Sequence, residues 1–162
     1  MGTDMMRCKF HKQVAGIWVE TDDEPCDFTD GRSYALFGWL ADVRNYSAIA
    51  PLAKLRGLPD DIVEQRKKRQ SERHPLYDSD TMEDYDYREF SWTWLLVDEF
   101  RAVDFDQIVE DRRCTVGNNG SATCEPGQGR FMPLREFLDE HSMELIERLM
   151  ASDVERIMFA FD

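Results

Sequence analysis

The stretch VERIMFAFD, at 154–162, constrains the fold more than any other part of the chain. Ile157, Phe159 and Phe161 alternate with Arg156, Met158 and Ala160. A period of two residues is that of a strand with a buried face. RCKFHKQV, at 7–14, alternates in the same way, with Cys8, Phe10 and Lys12 against Lys9, His11 and Gln13. Ala15 and Gly16 then supply a turn into a second short strand, so the N-terminal region reads as a hairpin. About three strands are the least that hold together in water. The C-terminal strand is therefore expected to pair with the N-terminal hairpin.

The chain between these strands reads as helices and loops. In SYALFGWLADV (33–43), Ser33 is placed to cap, and Leu36, Phe37, Leu40 and Val43 share a face. LPDDIVEQRKKRQSER (58–73) follows, with Asp61 and Glu64 spaced as a capping box and cations in its later turns. Apart from Ile62 and Val63 it has almost no apolar face. Residues 64–90 are therefore expected to form an exposed charged excursion, with Pro75 ending the helix and YDSDTMEDYDYRE (77–89) an acidic loop. SWTWLLVDEFRAVDF (91–105) has Trp94, Val97, Phe100 and Arg101 at helical spacing. On such a helix Trp92 and Trp94 point to different sides, so one of them is expected to be exposed or to lie in an interface. Residues 110–131 read as a long loop. PLREFLDEHSMELIERLMA (133–151) reads as one helix opened by Pro133, with Leu134, Phe137, Leu138, His141, Leu145 and Leu149 on one apolar stripe. The expectation is a single α+β domain of 162 residues: a small antiparallel sheet packed against several helices, with long loops and a flexible tail at 1–5.

Acidic residues number 33 against 20 basic ones, a net charge of −13. Such a surface repels bare nucleic acid and anionic lipid and favours a basic partner. No apolar run approaches the roughly 18 residues of a membrane span, and no leader pattern precedes the hairpin. A cytoplasmic protein with reduced thiols is expected. CTVGNNGSATC (114–124) carries a turn that would bring Cys114 and Cys124 together, as free thiols, a disulfide or half of a zinc site. No CxxC spacing or nearby His completes a ligand set. The acidic loop falls short of a calcium loop, because Met82 takes a ligand position and Glu83 that of the required glycine. Cys8 and His11 lie on opposite faces of a strand and do not suit one ion. No nucleophile elbow, zinc-protease, phosphate-loop or dinucleotide signature is present. No metal, cofactor or catalytic residue is assigned.

The motifs are similar to those of a family of small uncharacterised proteins encoded by tailed phages and prophages. The matching residues are Cys8 and His11, then Gly16 and Trp18, then Arg32, Tyr34, Leu36, Phe37, Leu40, Ala41, Val43, Arg44 and Asn45. The corner Arg56-Gly57-Leu58-Pro59-Asp60 follows, with Ser91, Trp94, Leu95 and Glu99. Lys9 stands where the family usually has Asp, and Phe90 where it usually has His. The resemblance implies a phage context and carries no established activity.

Two Arg-bearing corners remain, Arg44-Asn45-Tyr46 and Arg56-Gly57. A guanidinium fork suits a carboxylate or a phosphate, so each arginine either clamps a loop through a neighbouring acid or holds an anionic ligand. The candidate ligand-binding residues are Arg44, Asn45, Tyr46, Arg56, Gly57, Ser91 and Trp94. The function expected is non-enzymatic: sequestration or neutralisation of a host protein or a nucleotide-like small molecule in the host cytoplasm, as in evasion of host defence. No direct nucleic-acid or membrane contact is expected, and a homo-oligomer is. The alternative is a small phosphodiesterase or other hydrolase acting on a nucleotide signal.

Overall fold

Alternation at the two chain ends builds the sheet. The computed structural model describes residues 3–74 and 79–162. Strand β1 (Met5–Val14) turns through Ala15 and Gly16 into β2 (Ile17–Glu20), and both turn residues have positive φ, 51° and 77°. That pair of angles matches the twist of the flanking strands, and glycine takes the second without strain. β1 also pairs antiparallel with the last strand, β8 (Arg156–Phe161), which pairs on its other side with β3 (Ser91–Leu96). The sheet order is β2-β1-β8-β3, and every residue of β8 is buried. The expected α+β fold and the pairing of the chain ends are both present. The tail expectation is corrected from residue 3 onward: Met5 pairs with Phe161, Thr3 is buried, and Arg32 binds Asp4. Residues 1 and 2 lie outside the described part.

Each face of the sheet carries helices. Cys8, Phe10, Leu95, Ile157 and Phe159 point into the main core, against α1 (Tyr34–Ala41), α4 (Val97–Arg101), α5 (Leu134–Leu138) and α6 (Glu140–Ala151). The expected helix at 133–151 is thus two helices. Asp139, at φ 68° and ψ 165°, breaks the run, and its carboxylate accepts from the Ser142 amide to cap the second helix. Pro133 ends strand β7 (Arg130–Pro133) and does not open the helix. The restart also turns His141 out to solvent, off the apolar stripe.

The other face meets α2 (Asp60–Glu72) and α3 (Met82–Glu89), where Ile62, Tyr87, Trp92, Met158 and Ala160 form a smaller core. Here the acidic stretch expected as a loop holds a helix, while the described residues of 64–74 are exposed or half-buried. Thr81 and Asp84 form a capping box that starts α3, which buries Asp86 and Tyr87. Pro75, expected to end α2, lies outside the described residues. Residues 91–96 form a strand where a helix was expected, because SWTWLL is rich in aromatic and β-branched residues that suit a pleated surface. Trp92 and Trp94 therefore share one face, opposite Ala160 and Met158, and the helical argument for an aromatic interface falls. The expected loop at 110–131 also holds strands. β4 (Ile108–Asp111) pairs with β7, and β5 (Arg113–Val116) with β6 (Gly120–Thr123). All four cysteines are free thiols.

Candidate binding cavity

The face under α2 and α3 collects an unusual set of polar side chains. The strand period puts Lys9 and His11 of β1, Trp18 and Glu20 of β2, and Arg156 of β8 on it together. Register places Glu20, His11 and Arg156 in one transverse row. Arg156 is only 2% exposed although it lies in the central strand. Its guanidinium makes a two-pronged ion pair with Asp61 at 2.7 and 2.9 Å and lies 4.3 Å from the centre of the Trp18 ring. Burial opposes the charge on Asp61, but Arg156 outweighs it and holds the carboxyl below its usual range.

Beside this pair, Lys9 donates to Glu83 at 2.6 Å, and Tyr87 donates to the same carboxylate at 2.8 Å. Burial works against the Glu83 charge, yet these donors bring its pKa down to about 2. Burial likewise opposes the Lys9 charge, and Glu83 more than restores it. Burial pushes the Tyr87 phenol up to about 12. His11, 2% exposed, behaves oppositely: burial, then the nearby Arg156 charge, lowers it to about 4, so the ring is neutral at pH 7. Among the described residues, the His11 ring makes no hydrogen bond.

Between sheet and helices lies a cavity of about 380 Å³. Buried His11, Ile62 and Tyr87 and half-buried Trp18 form its floor. Gln65, Lys68, Arg69 and Glu72, one face of α2, form an exposed rim, with Glu20 across from the helix. Among the described residues, four buried side-chain polar atoms have no hydrogen-bond partner: His11 Nδ1, Arg66 Nε, Asp86 Oδ1 and Arg156 Nε. All four belong to this face. Of the four residues only His11 lines the cavity; Arg156 is paired with Asp61, Asp86 with Arg7, and Arg66 lies over the Tyr87 ring.

The residues singled out in the sequence lie elsewhere, in two groups. Arg44 donates to Thr3 Oγ1 at 2.8 Å and to the Tyr46 hydroxyl at 3.2 Å. Asn45 bridges the Asp42 carboxylate and the Ile49 backbone, and its side chain lies over Gly38, where an added Cβ would come within 3.0 Å. The left-handed residues at this helix end are Asp42 and Arg44. Arg56 grips Glu99 with two hydrogen bonds, at 2.8 and 2.5 Å, and lies 4.8 Å from the centre of the Trp94 ring. Gly57, at φ 75°, makes the turn beside it, and Ser91 sits exposed at the start of β3. None of the seven lines the cavity under α2. The sequence did hold signals for the residues that do: the odd positions of β1, and Glu83 with Tyr87 four residues apart on a helix opened by Thr81.

Among the described residues, no group of three or more His, Cys, Asp and Glu side chains is placed to hold a metal ion, and no helix is long and apolar enough to cross a membrane. Comparison with family models, curated proteins and solved structures finds no match to the chain.

Proposed function

We propose that this chain is a non-enzymatic binding protein that holds a small, ring-bearing, nucleotide-like ligand in the cavity between the sheet and α2–α3. The observation that carries the reading is the cavity itself, floored by Trp18, Tyr87, Ile62 and a His11 ring whose buried Nδ1 has no partner among the described residues, and rimmed by polar side chains of α2. A concave site with an aromatic floor and a few convergent polar groups is the usual form of a small-molecule site. The resemblance to tailed-phage and prophage proteins supports the wider role: sequestration of a host molecule in the host cytoplasm, as in evasion of host defence. A host protein held on the acidic surface is the other partner in that role, and the concave site favours the small molecule.

A hydrolase is the second reading. A neutral imidazole in a cavity favours it, since a neutral ring can accept a proton. Against it, among the described residues no carboxylate or hydroxyl bonds the His11 ring, so the orienting partner of a nucleophile–base pair is missing. Incubation with nucleotides, including cyclic dinucleotides, followed by denaturation and chromatography decides between them. Intact ligand supports a binding protein, and product identifies an enzyme.

Self-association belongs to the same proposal, on a different surface from the tryptophans. Val14, Ile17 and Val19 are exposed on the β1–β2 hairpin, whose outer strand is a sheet edge. A homo-oligomer joined there gives more than the monomer mass in light scattering, and Ile17→Lys returns it to monomer. A wild-type chain that is monomeric at micromolar concentration overturns this part.

A further inference from the structure

The cavity under α2 is graded from floor to rim, and the order of its chemistry points to a ligand class. The floor is ring-shaped and nearly dry: Tyr87 and Ile62 are 7% exposed, His11 is 2% exposed, and Trp18 stands beside them. The His11 Nδ1 is buried without a partner, so the ring can meet a ligand only through Nε2 or its face, a single polar contact for a heteroaromatic base. The rim carries charge of both signs. Lys68 and Glu72, four residues apart on α2, make no ion pair among the described residues. Glu83 is already engaged by Lys9, Tyr87 and Arg69.

Arg66 to Arg69 form an unbroken run of four cations in a chain of net charge −13. Only Lys68 and Arg69 of that run line the cavity, beside Glu20, Glu72 and Glu83, so the place for an anion is Lys68, which has no ion pair among the described residues. Glu72, on the same face of α2, is an acceptor only and suits the hydroxyls of a sugar, while Glu20, across the cavity on β2, is paired with Lys9 at 3.3 Å. A base, a sugar diol and an anion therefore find partners in sequence from floor to rim. The volume, about 380 Å³, lies near the small end of the roughly 300–1,000 Å³ of ligand sites and suits a single nucleotide unit.

We infer that the ligand of this cavity is a nucleoside monophosphate, its base on the floor formed by His11, Trp18 and Tyr87 and its phosphate at Lys68 and Arg69. The inference rests on the binding reading above and names the ligand of that site. Lys68 supplies most of the attraction for the phosphate, because Arg69 also serves Glu83 and Asp84.

The test is calorimetric titration of the full chain with the four ribonucleoside monophosphates, the matching nucleosides, the free bases and inorganic phosphate, with tryptophan emission followed in parallel. At least one monophosphate is expected to bind and to change the emission, and its nucleoside to bind on the order of tenfold more weakly. Lys68→Glu, an exposed substitution that leaves the fold intact, should remove that difference while nucleoside affinity stays unchanged. Raising the salt should weaken the monophosphate alone. If nucleosides or bases bind as tightly as monophosphates, or if Lys68→Glu changes nothing, the ligand class is wrong and the cavity reading stands. If no compound of the panel binds, or if binding survives Trp18→Ala and His11→Leu in a folded protein, the cavity reading falls with it.

Discussion

Burial and the Arg156 guanidinium hold the His11 pKa at about 4, against an ordinary value of 6.5. The unfolded chain therefore takes up a proton before the folded one does, and stability falls as pH drops from 6.5 toward 4. The full difference corresponds to a loss on the order of 3 kcal/mol. Arg156 and Lys9 oppose the imidazolium and Asp61 favours it, so the sign follows from the dry site and the two cations. Glu83, lowered from 4.5 to about 2, adds a second loss as pH falls below 4.5. Melting curves of His11→Asn should show a smaller fall between pH 6.5 and 4 than the parent, with the lower step retained. At the same face, Asp61→Ala leaves Arg156 buried without its counter-ion and should cost roughly 3–5 kcal/mol in urea unfolding. Adding Arg156→Met to that variant should recover much of the loss. Arg56 is a loop clamp by geometry. Its pair with Glu99 is 29% and 28% exposed, so Arg56→Ala should lower stability by only about 1–2 kcal/mol.

Among the elements, β8 is the one on which the others depend. Its six residues are all buried, and it is hydrogen-bonded on both edges. A chain lacking 156–162 should show no cooperative melt, since each large apolar side chain lost from such a site removes roughly 1.5–3 kcal/mol against a total of about 5–15. This strand and β1 were legible because alternation of apolar and polar residues has one structural meaning when a face is buried. β3 was not, because Trp94, Val97 and Arg101 happen to fall at helical spacing across the junction of a strand and a short helix. α3 was hidden by its charge: Glu83, Asp84, Asp86 and Arg88 look solvated, while Tyr87 and Asp86 turn inward. The helix break at Asp139 turns on one residue's backbone angle, which no periodicity reveals. The arginine corners stood out because guanidinium beside Gly and Asn is a conspicuous local pattern. The cavity was missed because its residues come from four separate elements, β1, β2, α2 and α3, and only the register of β2 on β1 and the docking of the two helices on the sheet bring them together.

For the molecule as a whole, the two faces of the sheet are unequal. One side is sealed by a broad apolar core, the other by five buried apolar residues and a lattice of ion pairs. Amide exchange should therefore open α2 and α3 well before β1 and β8, because local stability follows buried apolar contact. High salt should widen the gap, since the ion pairs weaken and the apolar core does not. The position of β8 in the middle of the sheet has a consequence in time. Its edges join segments far apart along the chain: the amide of Asp4 meets the Asp162 carboxylate across 158 residues. Closing such loops, rather than winding helices, sets the pace of folding, which is expected in the millisecond-to-second range of sheets rich in distant contacts. The cavity needs Arg156 docked on Asp61 and so exists only once that closure is complete. A bound ligand should then lengthen the life of the native state and leave the refolding rate unchanged, a separation that stopped-flow mixing measures directly.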